Sequence, residues 1–333
     1  MSSVSVFIPC YKYAHYLRGC VQSALEQEGV DVRVLIMDDC SPDDTPEVAR
    51  QLMSEDPRVA YHRNAVNRGH IETYNVGIDW CDGDYCLLLS ADDMLTPGAL
   101  ARAARVLDAH PEACLAYGQE IKTANPRFDS APVPASYDWR LVSGNEFWEM
   151  SSRRAANIVP TPTAVVRTSA QKRIGGYRKD LPHSGDLFMW LRLAGEGSVG
   201  IIDVPQGFYR THGQNMSTGY GGLRDFRQRK AAFDVAAAAC AANVPDLRRF
   251  MERVDRFLAE ESFWVGSRLF EAGSLAESQE CLDYALELCP GLRSWGAWRR
   301  LRIKQMLGPQ VWGAFRPLRD WARGKRASVR GVA

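Results

Sequence analysis

The chain has 333 residues, 46% of them apolar and 24% charged, a balance that suits a soluble globular protein with one large core and an appendage. No apolar run is long enough to span a bilayer, and the opening residues lack the charged and apolar regions of a signal peptide, so a cytoplasmic location is expected. Nine scattered cysteines with no Cys-x-x-Cys argue against both a disulfide framework and a zinc site.

Residues 4–8 read as a strand stopped by Pro9, and a helix follows over 15–27 with Leu17, Val21, Ala24 and Leu25 on its apolar face. A second apolar strand over 32–37 runs into Asp38-Asp39-Cys40-Ser41-Pro42-Asp43-Asp44-Thr45, where Ser41 or Asp43 could cap a helix over 46–53. A short strand at 59–62 and a helix at 71–80 lead through Asp82-Gly83-Asp84 into the apolar run 85–89. Strands and helices that alternate over short links indicate a parallel α/β sheet.

The run 85–89 ends at Ser90-Ala91-Asp92-Asp93, and acids at the mouth of a buried strand stand where open α/β sheets bind ligands. Two readings fit Asp92: a ligand for Mg2+ or Mn2+, or the cap of a helix over 97–107. Neither Gly-x-Gly-x-x-Gly nor Gly-x-x-x-x-Gly-Lys-Ser/Thr is present, which disfavours a dinucleotide dehydrogenase and a P-loop nucleotidase. The strand-end loops are acidic instead, so a diphosphate would be repelled there unless a cation intervened.

These motifs together resemble family 2 glycosyltransferases of GT-A fold over about residues 4–217. The resemblance is carried by Val4-Ser5-Val6-Phe7-Ile8-Pro9-Cys10-Tyr11-Lys12, by Asp38-Asp39-Cys40-Ser41, by Asn67-Arg68-Gly69 with Asn75-Val76-Gly77, and by Ser90-Ala91-Asp92-Asp93. Gly175-Gly176-Tyr177, Asp186 ahead of Trp190-Leu191-Arg192, and Tyr209-Arg210-Thr211-His212 complete it. It implies an inverting transfer from a nucleotide-diphosphate sugar, a UDP-sugar foremost, to a hydroxyl acceptor, with Asp186 as general base. It places Pro9, Tyr11, Asp39, Asn67, Gly69, Asp92 and Arg210 on the donor, Asp92, Asp93 and His212 on an Mn2+ or Mg2+ ion, and Arg68 as a further phosphate candidate. Ser90 and Gly185 replace acids that the family usually carries, and the Gln-x-x-Arg-Trp motif of processive synthases is missing, so one sugar per encounter is expected. Residues 118–165 match no signature and hold Trp139, Phe147 and Trp148, aromatic faces suited either to acceptor sugars or to core packing.

Beyond residue 220 the texture turns helical, and Gly219-Tyr220-Gly221-Gly222 reads as a linker or a lid. The expected layout is a GT-A domain at 1–220, an all-helical region at 221–290 containing one tetratricopeptide-like hairpin, and a basic tail at 291–333. The tail holds eleven Lys and Arg against Asp320 alone, a net +10 that leaves −9 on residues 1–290. With Trp295, Trp298, Trp312 and Trp321 it has the make-up of an amphipathic segment on anionic lipid. Nucleic acid is the competing partner for such charge, and nothing else in the chain supports it. The leading expectation is a transferase that extends a lipid-linked or cell-surface glycan from the inner face of the cytoplasmic membrane. The alternatives are a soluble transferase for a small molecule, or a transferase-like scaffold whose helices bind a protein.

Overall fold

The computed structural model describes residues 1–131 and 136–314. Four parallel strands, β1 (Ser3–Cys10), β2 (Asp31–Asp38), β3 (Val59–Arg63) and β4 (Tyr85–Leu88), alternate with helices α1 (Ala14–Leu25), α2 (Thr45–Glu55) and α3 (His70–Trp80). The chain continues through β5 (Met94–Leu95), α4 (Ala99–Ala109), β6 (Ala113–Thr123), β7 (Trp139–Val142), α5 (Gly144–Ser152), β8 (Val165–Arg167), α6 (Thr168–Ile174), α7 (Gly185–Glu196) and β9 (Ser198–Arg210). One sheet results, in the order β3-β2-β1-β4-β8-β6-β9-β5, with β7 also on β9. β8 runs antiparallel to β4 and β6, so β8 joins a parallel half-sheet to a mixed one.

The apolar runs fold as expected because helices cover the sheet: Val4, Val6, Ile8, Val34, Ile36 and Leu87 are fully buried with Leu17, Val21 and Ala24 of α1. Gly77 lets α3 approach β1 so closely that a Cβ there would enter the Phe7 ring. β4 stops at Leu88, and Ser90 to Asp93 form a turn closed by the Asp93 N–H on the Ser90 carbonyl. Asp92 does not cap the next helix: α4 starts at Ala99 behind a left-handed Gly98. Asp43, not the residue beside the helix, closes the start of α2, accepting the Thr45 N–H while the Asp44 side chain makes no cap bond. Phe147 and Trp148 belong to the core, with the Trp148 indole donating to the Leu191 carbonyl at 3.1 Å.

The rest is helical: α8 (Gly222–Cys240), α9 (Leu247–Ala272), α10 (Leu275–Leu288), α11 (Gly296–Leu307) and α12 (Pro309–Ala314). Two compact units divide the chain, the first holding residues 1–219 and 231–251, the second 220–230 and residues from 252 onward. The region expected as one helical domain from 221 is therefore split. Residues 231–251 rejoin the first unit because Gly195 of α7 admits Cys240 against its backbone and Asn243 donates to the Gly195 carbonyl at 2.9 Å.

In the second unit α9 from residue 252 packs against α10. Gly266 lies against Leu282 and the Ser278 carbonyl, and the Ser278 hydroxyl returns a hydrogen bond to the Gly266 carbonyl at 2.7 Å. Two of the tail tryptophans are core residues: Trp298 is buried and Trp295 half-buried, each about one ring contact from Phe263 at 5.1 and 5.2 Å. Trp321 and the bases beyond residue 314 lie outside the described residues.

Candidate active site

The loops after β1, β2, β3 and β4 collect at the carboxyl edge of the parallel half-sheet. The Asp39 amide bonds the Cys10 carbonyl, Asn64 the Asp38 carbonyl, and Leu89 the Phe7 carbonyl. Pro9 does not stop β1 but pairs with Met37 as the strand runs on to Cys10, and Tyr11 beyond it is 40% exposed, with the Lys12 ammonium 5.1 Å from its ring. Lys12 and Cys40 both have positive φ, at 65° and 56°, and the Ser41 hydroxyl accepts the Lys12 N–H at 2.8 Å. Asp43 ties the β2 loop to α1, accepting from Ser41, Thr45 and the Ala14 amide. Burial works against its charge, but these donors outweigh it and hold the carboxyl down at about 2.

Asp38 and Asp39 help build this edge. Asp38 accepts the Ser41 amide, the Tyr61 hydroxyl and the Arg63 guanidinium. Asp39 is buried and accepts from the Asn64 side chain and from the Arg68 and Gly69 amides, all at 2.8 Å. Of about four lone-pair positions on that carboxylate, one remains for a ligand. Asn67 holds the same turn from outside, its side-chain oxygen accepting the Gly69 N–H at 3.0 Å, and Arg68 is exposed.

β9 carries Arg210 and His212 to the second pair of acids. Asp93 is buried and takes the Arg210 amide at 2.9 Å; burial and then the Asp92 charge push its carboxyl well above the usual range. The Arg210 guanidinium donates to the Asp92 carbonyl at 2.7 Å and to the Ala124 carbonyl at 3.3 Å, and lies 4.2 Å over the Tyr16 ring. Two of its five donors are used in this way, which leaves three for phosphate oxygens. His212 stacks on Tyr16 at 5.5 Å and meets Tyr13 edge-on at 5.4 Å. Its Nδ1 accepts the Gln214 amide at 3.2 Å, which puts the neutral ring's proton on Nε2, and Nε2 donates to Asp92 Oδ2 at 3.0 Å.

This donor set bears on a divalent cation. Among the described residues no three His, Cys, Asp or Glu side chains converge as a ready-made metal site. Mg2+ and Mn2+ do not require one, because they are commonly held by one or two carboxylates together with substrate phosphates. Asp92 is the available oxygen, since Asp93 is engaged on Arg210. His212 could join only by moving its proton from Nε2 to Nδ1 and releasing the Gln214 amide. The residues fit a cation shared with a diphosphate.

Asp186 opens α7 and is half-buried, accepting the Thr161 hydroxyl at 2.7 Å and the Tyr177 hydroxyl. Burial raises its carboxyl above the ordinary value, while Thr161, Tyr177 and the nearby His70 pull the other way. Asn75 locks the Tyr177 segment to α3 with two bonds, accepting its amide at 2.6 Å and donating to its carbonyl at 2.9 Å. A Cβ at Gly176 would collide with Asn75, and Gly175 has a φ of 82°, so each of the paired glycines has its own reason. Thr161 lies in a 3-10 turn, Thr161–Thr163, that packs on β4, β5, β6 and β9 and so links Asp186 to the strand following Asp92 and Asp93. No sequence signature marked Thr161; a hydroxyl in a Thr-Pro-Thr turn acquires meaning only once α7 is placed.

A half-sheet with acids at its carboxyl edge, closed by a mixed half that returns an Arg and a His to them, is the GT-A arrangement of glycosyltransferases. Solved structures agree: Staphylococcus aureus TarS residues 1–349 in complex with UDP-GlcNAc superposes with TM-score 0.62 at 18% identity, covering 85% of this chain and 79% of that one. The mannosyltransferase PcManGT of Pyrobaculum calidifontis, in complex with GDP-Man and Mn2+, has TM-score 0.55 at 16% identity over 96% and 82% of the two chains. At these identities the likeness speaks for the fold. Residues 5–168, about half of the chain, match the family described as Glycosyl transferase family 2. Pasteurella multocida chondroitin synthase is 32% identical over 214 residues, and Escherichia coli chondroitin synthase 27% over 222, each covering 64% of this chain. The chain spans only 21% and 30% of the length of those relatives. Asp186, Arg210 and His212 lie past the matched family segment.

Proposed function

We propose that this glycosyltransferase moves one sugar, with inversion, from a nucleoside-diphosphate sugar to a hydroxyl of a lipid-linked or cell-surface glycan at the inner face of the cytoplasmic membrane. A UDP-sugar is the first choice of donor. The observation that carries the reading is the pairing of two differently prepared carboxylates: Asp92 beside His212 and Arg210, and Asp186 with a raised proton affinity at the start of α7.

Asp186 takes the proton of the acceptor hydroxyl as that oxygen forms its bond to the anomeric carbon. The bond from that carbon to the β-phosphate oxygen breaks with its electrons, and the nucleoside diphosphate leaves. Thr161 and Tyr177 hold the carboxylate of Asp186 in place. Arg210, fixed by Asp92 and Ala124 and braced on Tyr16, offers its remaining donors to the phosphates. Tyr11 and the last lone pair of Asp39 serve the nucleobase, and Gly69, whose φ is 79° and where a Cβ would meet nothing within 4 Å, keeps the backbone open to the donor. An Mn2+ or Mg2+ ion on Asp92, with His212 in its other tautomer and with Asp93 behind them, would neutralise charge developing on the leaving diphosphate.

The test is donor binding and hydrolysis with UDP-, GDP- and dTDP-sugars, in Mn2+, in Mg2+ and in EDTA. One donor should bind and turn over only with metal, and Asp92→Ala should remove most of that metal-dependent turnover. No donor binding under any metal condition would overturn the reading and leave a transferase-like binding scaffold.

A further inference from the structure

α11 presents two unlike faces. Ala297, Trp298 and Leu301 are buried with Phe263, Leu282 and Leu292 in the core of the second unit. On the other side Ile303, Met306 and Leu307 are exposed, Met306 at 79%, and Val311 of α12 is exposed beyond them. Positions 303, 306 and 307 follow the spacing that places side chains on one side of a helix. Water does not favour such a strip of large apolar side chains, and proteins that keep one usually cover it.

The charge around the strip indicates what covers it. Residues 291–314 contain five bases and no acid. Lys304 is engaged with Glu271 and Ser267. Arg293, Arg299, Arg300 and Arg302 have no carboxylate partner among the described residues, and the last three are exposed on the same helix as the strip. Arginines beside large aliphatic side chains suit a surface that is anionic at the headgroups and apolar just beneath. Nucleic acid would use the arginines but leave the apolar strip in water.

We propose that Ile303, Met306, Leu307 and Val311 dock this unit on an anionic lipid bilayer, with Arg299, Arg300 and Arg302 on the headgroups. The proposal rests on the membrane placement given above and names the surface that achieves it. It departs from the sequence expectation in one respect: Trp295 and Trp298 are spent on the core, and aliphatic side chains take the lipid-facing role.

The experiment is flotation of the full chain with vesicles of phosphatidylcholine alone or mixed with phosphatidylglycerol. Wild type should float with the mixed vesicles only, and raised salt should weaken binding. The double variant I303E/M306E should lower the partition at least about tenfold, and R299E/R300E should do the same. All four positions are exposed, so both variants should unfold at the wild-type denaturant midpoint and keep wild-type donor hydrolysis. Asp186→Asn should float as wild type does, which separates failure of docking from failure of the chemistry. Equal flotation with both vesicle types, or variants that float like wild type, would overturn the proposal. So would a wild type that does not float but forms a dimer that I303E/M306E breaks, since the strip would then belong to a second copy.

Discussion

Two strands of the parallel half-sheet lead into adjacent aspartates, and the two pairs are used differently. Asp38 and Asp39 each accept three hydrogen bonds, from the loop after their own strand and from the segment that begins with β3. Asp92 and Asp93 stand close enough for one charge to push up the other, and against its burial Asp93 has the Arg210 amide and the Arg210 charge. The number of donors that meet a carboxylate separates scaffold from chemistry. A saturated acid organises backbone, whereas an under-supplied one is held ready for a cation or a proton.

The sharpest test of that distinction lies outside both pairs. Asp186→Asn keeps the shape but cannot accept a proton, so transfer should fall by about 10³-fold while donor binding is retained, as a donor titration beside a transfer assay would show. Burial raises the Asp186 carboxyl in the folded chain, so the folded form binds a proton more tightly than the unfolded one. Stability from that proton is present at acid pH and is lost as pH rises through the folded pKa. Asparagine does not titrate, so the variant should be at least as stable as wild type at neutral pH, measured by urea unfolding. A variant that unfolds more easily there would mean that Asp186 is structural.

Asp92→Ala should cost about 10²-fold in metal-dependent donor turnover with little loss of stability, because the change also removes a charge repelling Asp93. Asp39→Ala should cost stability as well as donor affinity. It strands the Arg68 N–H and takes one acceptor each from the Asn64 amide and the Gly69 N–H, which keep Thr73 and Asn67, so the urea midpoint should drop by the equivalent of about 2 kcal/mol with an unchanged m-value. If Asp39→Ala destabilised no more than Asp92→Ala, the contrast between the pairs would fail.

Much of this was legible in the chain. Unbroken apolar runs such as 32–37 and 85–89 announce strands covered on both faces, and acids at their ends announce the edge where a ligand binds. What each acid does was not legible, because hydrogen-bond supply depends on residues far away: Arg210 reaches Asp93 across 117 positions. The aromatic residues misled for the same reason. Phe147 and Trp148 read as sugar platforms or core and Trp298 as a lipid anchor, and the packing of α7 and α9 decides for core. The split of the helical region was hidden because a helix former looks the same whichever unit it joins.

The smallest expected effect concerns Thr161, which touches Asp186 without taking part in the transfer. Its hydroxyl donates to the carboxylate and so favours the ionised, proton-accepting form. Thr161→Val removes that donor and leaves the burial, so the Asp186 pKa should rise further. Activity requires the ionised form, and the acid limb of the pH profile should therefore move to higher pH. The alkaline plateau should stay largely intact, and Thr161→Ser should restore the limb. A general loosening of the 161–163 turn would instead lower the plateau at every pH and leave the limb in place, so the profile distinguishes an electrostatic role from a packing one.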